Sequence, residues 1–299
     1  MPEISIVIVC MGDPRRVLYA CLDSIEARTC VSHEIWVVAY RMSAEDRKEL
    51  SARYPFLRVM ESTGVRGFSE NNNLALRQVR GKYVFVVNDD TLMQMPVVDL
   101  LRADFDRLPE HAAAIQPRIV FADGRVQTCG RAPWTLLRYM KHYLHGVDET
   151  RPGPWSMQEG LFRTYTLNGA AFLIRSDVFR QVGWFDERFF FTPEDIALGH
   201  ALNAAGYTVW ADADVSITHL AGSTASSMEA AIKPARVKGA LLFYGEGKWW
   251  KTKVLALFIF CVEAFRWMKH GGQCASADHI LRSVFDHASA KETFMRFQP

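Results

Sequence analysis

The sequence of 299 residues lacks any CxxC pair, and its six cysteines (Cys10, Cys21, Cys30, Cys129, Cys261, Cys274) are scattered. That excludes a zinc knuckle and a disulfide framework, and reduced thiols in a cytoplasm are the simplest reading. No GxxxxGKS or GxGxxG follows the first apolar run, whose exit reads CMGDPRR, so no glycine cradle of either usual type grips phosphate. A basic excess is also missing: the net charge of +2 argues against a dedicated nucleic-acid binder. MPEISIVIV has no basic n-region and reads as a strand rather than as a signal peptide. The longest apolar run, VLALFIFCV from Val254 to Val262, is about half of the ~20 residues a spanning helix needs.

What is present is enough apolar material for a large core, with 49% hydrophobic and 23% charged residues. Ile4 to Val9, Glu34 to Val38, Leu57 to Met60 and Tyr83 to Val87 are near-continuous apolar runs, the pattern of parallel strands buried on both faces. Helical segments alternate with them: Val17 to Ala27, Ala44 to Arg53, and one that opens at Ser69 as N-cap and closes before Gly81. The predicted fold is therefore α/β, a doubly wound layer in the N-terminal half.

In such a sheet, ligands gather at the carboxyl ends of the strands. YVFVVNDD ends there on Asn88, Asp89 and Asp90, hard oxygen ligands that can hold a diphosphate through a divalent cation. Asn and Asp also form turns after strands, and the triplet alone does not decide. Thr192, Pro193, Glu194 and Asp195 read as a helix start, with Thr as N-cap and Leu198, Ala201, Leu202 and Ala205 as the buried stripe. The two acids suit a helix N-terminus. They equally suit a general base, since the aromatic segment GWFDERFFF would wall off a low-dielectric cleft around them.

SIVIV, CLDSI, EIWVV, RGFSENNN, GKYVFVVNDDT, LNGAAFLIR, VGWFDERFFFTPEDIALGHALNAAGY and THLAGST, in this order over about residues 4 to 225, resemble the inverting family-two glycosyltransferases of the GT-A fold, bacterial rhamnosyltransferase-like members in particular. The resemblance implies a GT-A, Rossmann-like mixed sheet flanked by helices over residues 1–225, and a C-terminal helical extension over 226–299. It implies a single displacement with inversion, from a nucleotide-diphosphate sugar to a hydroxyl of a saccharide or lipid-linked saccharide in bacterial surface polysaccharide synthesis. Asp90 and His219 fall on the metal-binding positions, for Mg²⁺ or Mn²⁺. Asp195 falls on the catalytic base, with Glu194 beside it as helper or helix-start acid. Asn88, Asp89, Tyr40, Asn73, Asn168, Gly169 and Ala170 fall on the donor side.

Departures from the family pattern gather on the nucleobase side. VVAYRMS stands where the family carries VVDNxS, so Ala39 and Tyr40 replace an acid and an amide, and Val65 replaces an asparagine before GF. The other reading these losses leave open is a non-catalytic GT-A-fold subunit that binds carbohydrate or assists assembly. Lys248 to Lys269 reads either as a core helix or as a peripheral helix on an anionic membrane surface at the inner face of the cell membrane, presenting Leu255, Phe258 and Phe265 to lipid.

Overall fold

The computed structural model describes residues 1–220 and 228–298. The last residues of THLAGST and the expected domain boundary at 225 lie outside them.

Four short strands start the sheet: β1 (Ile4–Met11), β2 (His33–Tyr40), β3 (Arg58–Ser62) and β4 (Tyr83–Val87). They run parallel in the order β3-β2-β1-β4. Between them lie α1 (Leu18–Arg28), α2 (Ala44–Arg53) and α3 (Phe68–Leu76). Ser43 caps α2 by accepting from the Asp46 amide. The start of α3 is Gly67 rather than Ser69, because Glu70 reaches back to the Gly67 N–H at 3.1 Å.

The second half adds β5 (Thr91–Leu92), α4 (Val97–Asp104), β6 (Ala112–Val120), β7 (Val126–Thr128), α5 (Leu136–His145), β8 (Leu161–Thr164), β9 (Ala171–Arg175), α6 (Ser176–Gln181), α7 (Glu194–Ala204) and β10 (Thr208–His219). The sheet continues as β4-β9-β6-β10-β5. β9 is antiparallel to both neighbours, which makes the sheet mixed, as expected. Side chains alternate across it. Ile4, Ile6 and Ile8 join Leu18, Leu22 and Leu101 on one face, while Val7 and Val84 join Leu76, Phe179 and Leu202 on the other.

Four helices follow: α8 (Glu229–Gly245), α9 (Trp249–Lys269), α10 (Ala275–Ser283) and α11 (Ala290–Phe297). Ile196, Val237, Leu241, Leu255, Ile259 and Ile280 share a core, so these helices pack onto the α7 side of the sheet domain. Leu255 is fully buried there, which corrects its expected lipid-facing position. Among the described residues no helix is long and apolar enough to cross a membrane.

Candidate active site

Register places the triplet. β4 pairs with β9 up to Val87 opposite Ala171, and the next amide, Asn88 N–H, donates to Ala170 O at 2.9 Å. The chain then turns, with Thr91 Oγ1 donating to Asn88 O at 2.9 Å, and enters β5, where Thr91 lies opposite His219 at the end of β10. The triplet, LNGAA and His219 thus share one edge of the sheet.

His219 Nε2 lies 3.1 Å from Asp90 Oδ1 and 3.4 Å from Asn88 Nδ2. Its Nδ1 meets Gln127 Oε1 at 2.9 Å, and a proton on that nitrogen directs the Nε2 lone pair at Asp90. Two acceptors at that distance require a proton or a cation between them. The pair therefore fits a divalent ion. Among the described residues no three His, Cys, Asp or Glu side chains converge as a metal cluster. Two protein ligands suit Mg²⁺ or Mn²⁺ completed by substrate phosphates and water.

Asp89 points the other way, into the protein beside Cys10. Burial pushes its carboxyl up to about 6, the Cys10 thiol hydrogen bond opposes that shift, and the Asp90 charge adds to it. Asn168 and Ala170 brace the edge, Asn168 Oδ1 accepting from the Ala170 amide at 2.9 Å. At Gly169 an added Cβ would lie 3.6 Å from the Phe68 ring, an ordinary contact, so neighbouring protein atoms do not demand glycine there.

Two residues expected on the donor side are engaged within the protein. Asn73 is buried, donating to Phe185 O at 2.8 Å and Glu187 Oε1 at 2.9 Å and accepting from the Phe185 amide. Its amide is used up in holding that loop. Tyr40 is buried as well, its hydroxyl accepting from the Arg66 N–H at 3.2 Å, so its ring is not offered for stacking.

The helix-start pair divides. α7 begins at Glu194 with Pro193, not Thr192, in the cap position, and its buried residues include Leu198 and Leu202 while Ala201 and Ala205 are exposed. Gly199 lets α7 pack directly on Thr166, whose Cα would stand 2.8 Å from an added Cβ. That contact sets Asp195 against the LNGAA segment. Asp195 Oδ2 accepts from Gly169 N–H at 3.2 Å and from Arg131 at 2.7 Å, while Oδ1 accepts from Ile196 N–H at 2.7 Å. Glu194 is turned inward with Oε2 unpaired among the described residues. Burial, then the Asp195 charge, raises its carboxyl well above the usual range. Asp195 borders the cleft described below and Glu194 does not.

Sequence reasoning missed Arg131, Glu149 and Gln127. Arg131 bridges Asp195 and Glu149, its side chain only 14% exposed, and also donates to Leu167 O at 3.0 Å. Burial works against its charge, but Asp195 and Glu149 together hold it protonated above its ordinary value. No periodicity or motif marks these residues, since hairpin β7 and the loops around α5 deliver them. Asp195, Arg131, Glu149 and Gln127 border one cleft of about 650 Å³ with Trp134, Tyr139, Tyr143 and Tyr244. The run GWFDERFFF does not line it: Phe185 packs in the sheet core, and Phe190 and Phe191 pack on Phe294.

The model of the glycosyltransferase-like family 2 matches residues 2–236. The chain belongs to this family. It is 27% identical over 252 residues to the N-acetylglucosaminyl-diphospho-decaprenol L-rhamnosyltransferase of Mycobacterium tuberculosis, covering 77% of this chain and 78% of that protein. The family-2 fold is shared with solved glycosyltransferases. GalNAc-T7 with UDP, GalNAc and Mn²⁺ superposes with a TM-score of 0.57 at 15% identity, over 73% of this chain and 44% of that one. The mannosyltransferase PcManGT of Pyrobaculum calidifontis, in complex with GDP-Man and Mn²⁺, superposes with a TM-score of 0.54 at 13% identity, over 93% and 78%. The family-2 chain is thus a glycosyltransferase of GT-A architecture, with a mixed sheet flanked by helices.

Proposed function

We propose that this glycosyltransferase moves a sugar, rhamnose by similarity to the mycobacterial relative, from a nucleotide diphosphate to a hydroxyl of a lipid-linked saccharide, with inversion. The observation that carries the reading is the linked set Asp90, His219, Asn88, Ala170, Gly169 and Asp195, which joins the Asp90–His219 pair to the Asp195 carboxylate through the LNGAA segment.

Asp195 accepts the proton of the acceptor hydroxyl as that oxygen bonds to the anomeric carbon. The bond from that carbon to the diphosphate breaks on the opposite face, with the electron pair leaving on the diphosphate. Arg131 orients Asp195 before transfer. Once Asp195 takes the proton, Glu149 still compensates the buried guanidinium, so no lone cation is left in the cleft. Asp90 and His219 would hold Mg²⁺ or Mn²⁺, which when bound supplies positive charge to the leaving diphosphate. Gly169 leaves room for the donor sugar.

The test is a transfer assay with nucleotide-diphosphate sugars and a short saccharide acceptor carrying a lipid phosphate, with the product anomer read by NMR. A product of opposite anomeric configuration to the donor is expected. Retention of configuration overturns the single-displacement reading, and full transfer in chelator overturns the metal.

A further inference from the structure

Helix α9 is apolar on two opposite sides. Leu255, Ala256 and Ile259 point inward and are buried. Trp250, Val254, Leu257, Cys261, Phe265 and Met268 recur at steps of four or three residues, one face of a 3.6-residue helix, and all six are exposed, Leu257 at 57% and Phe265 at 66%. Single exposed apolar residues are ordinary, but an unbroken stripe along a solvent-facing helix marks an interaction surface.

The charges say what covers it. The helix has one acid, Glu263, which is fully buried and paired with Lys233 and Arg266. Lys248, Lys251 and Lys253 stand at one end of the stripe, Arg266 and Lys269 at the other. Trp249 and Trp267 flank it, as aromatic residues do at a membrane interface. α5 lies alongside: Arg266 donates to Tyr143 O at 2.7 Å, and the Tyr143 and Phe258 rings are 6.3 Å apart. α5 has no acid and no buried residue, and its Leu137 is 76% exposed. Both ends of the α9 stripe are basic, so pairing with a second copy would set cations against cations in either direction. An anionic bilayer meets the same pattern with opposite charge.

We propose that the α5/α9 face docks on an anionic lipid surface, with the α9 stripe at the acyl boundary and the flanking lysines among head-group phosphates. The docked helix lies flat. Lys233 lines both the catalytic cleft and the groove between α5 and α9, so docking brings the side of the cleft to the bilayer.

Flotation of the full chain with phosphatidylcholine vesicles, with and without phosphatidylglycerol, tests this with no donor or acceptor present, so the outcome is independent of the proposed transfer reaction. Flotation with the anionic vesicles is expected, at least about tenfold stronger than with neutral ones. Leu257→Glu with Phe265→Glu should cut binding by about tenfold or more while the melting temperature holds. Lys248→Glu with Lys253→Glu, both exposed, should remove the anionic preference without touching the stripe. Absence of flotation, equal binding to neutral vesicles, or wild-type binding by both double variants overturns the proposal. So does a concentration-dependent dimer that the Leu257 and Phe265 changes dissociate, since the face would then cover a second copy.

Discussion

Two aspartates stand on the same edge of the sheet and differ in what faces them. Asp90, after β4, meets the imidazole of His219, whereas Asp195, at the start of α7, meets the guanidinium of Arg131. An imidazole nitrogen is a common metal ligand, so the Asp90 side suits the proposed cation. A guanidinium stays charged, so the Asp195 side already has its cation and has no vacancy for a metal ion. On the proposed reading, one residue type thus serves two tasks, set by the neighbour and not by the aspartate. Mutations that neutralise each aspartate in turn should separate the tasks.

Asp195→Asn carries the largest expected effect. It removes the proposed proton acceptor and should lower transfer by about 10² to 10⁴. Nucleotide-sugar binding, followed by calorimetry, should stay within a few-fold, because the metal side is untouched. Arg131 keeps Glu149, so the stability loss should be only about 1–3 kcal/mol. Glu194→Gln changes a side chain that does not border the cleft and should leave transfer near normal. If Glu194→Gln abolishes transfer while Asp195→Asn stays active, the two roles are reversed.

Asp90→Asn comes next. With one of the two proposed metal ligands weakened, transfer should fall about 10² to 10³. Unlike the Asp195 variant, it should lose metal-dependent donor binding in the same calorimetric titration. Chelator should bring the wild type to the same level, and added Mn²⁺ or Mg²⁺ should restore the wild type alone. Equal donor affinity in the two aspartate variants would erase the distinction between the sites.

Gln127→Ala is milder. Its carbonyl orients His219 from behind, at 2.9 Å from Nδ1. Loss of such a partner typically weakens metal binding about 10 to 100-fold. The midpoint of Mn²⁺ activation should shift by that factor with little change at saturating metal. An unchanged midpoint would mean that His219 needs no orientation.

How far the sequence foretold this differs between the two sites. β4 was legible to the residue, because Tyr83 to Val87 is buried throughout and ends on a triplet that cannot continue a buried strand. The same pattern put Asp90, in the turn after β4, and His219, the last residue of β10, at one end of the sheet. The residue pattern by itself read the helix-start acids only as a pair, and the family resemblance alone put the base on Asp195. Which of them faces the cleft depends on where α7 lands against Thr166 and Gly169, a tertiary contact with no local signature. Arg131 and Glu149 were not legible at all, because the residues flanking α5 carry no periodicity that points inward. The aromatic run misled for the same reason: GWFDERFFF announces burial but not what it is buried against. On α9, the apolar pattern was visible, yet the side facing solvent was not. Only packing against α8 and α10 turns Leu255 inward and leaves Leu257 outside.

A third aspartate completes the series. Asp104 on α4 faces neither a histidine nor a buried arginine but the carboxyl of Asp212 on β10, and its ion-pair partner, Arg107, is largely solvent-exposed. Burial, and then the hydrogen bond shared with Asp212, pushes the Asp104 carboxyl up to about 6. The folded chain therefore holds a proton that the unfolded chain, with an ordinary carboxylate near ~3.9, has released. The stability it contributes is complete below about pH 4 and is lost as pH rises through about 6. Asp104→Asn offers Asp212 an N–H at every pH. The variant should therefore gain on the wild type as pH rises from 4 to 7, by under ~1 kcal/mol, because solvent near the exposed Arg107 screens the pair. Urea unfolding of both chains across that range measures the difference directly. A gap that stays constant with pH, or grows in favour of the wild type, would mean that Asp104 and Asp212 share no proton in the folded chain.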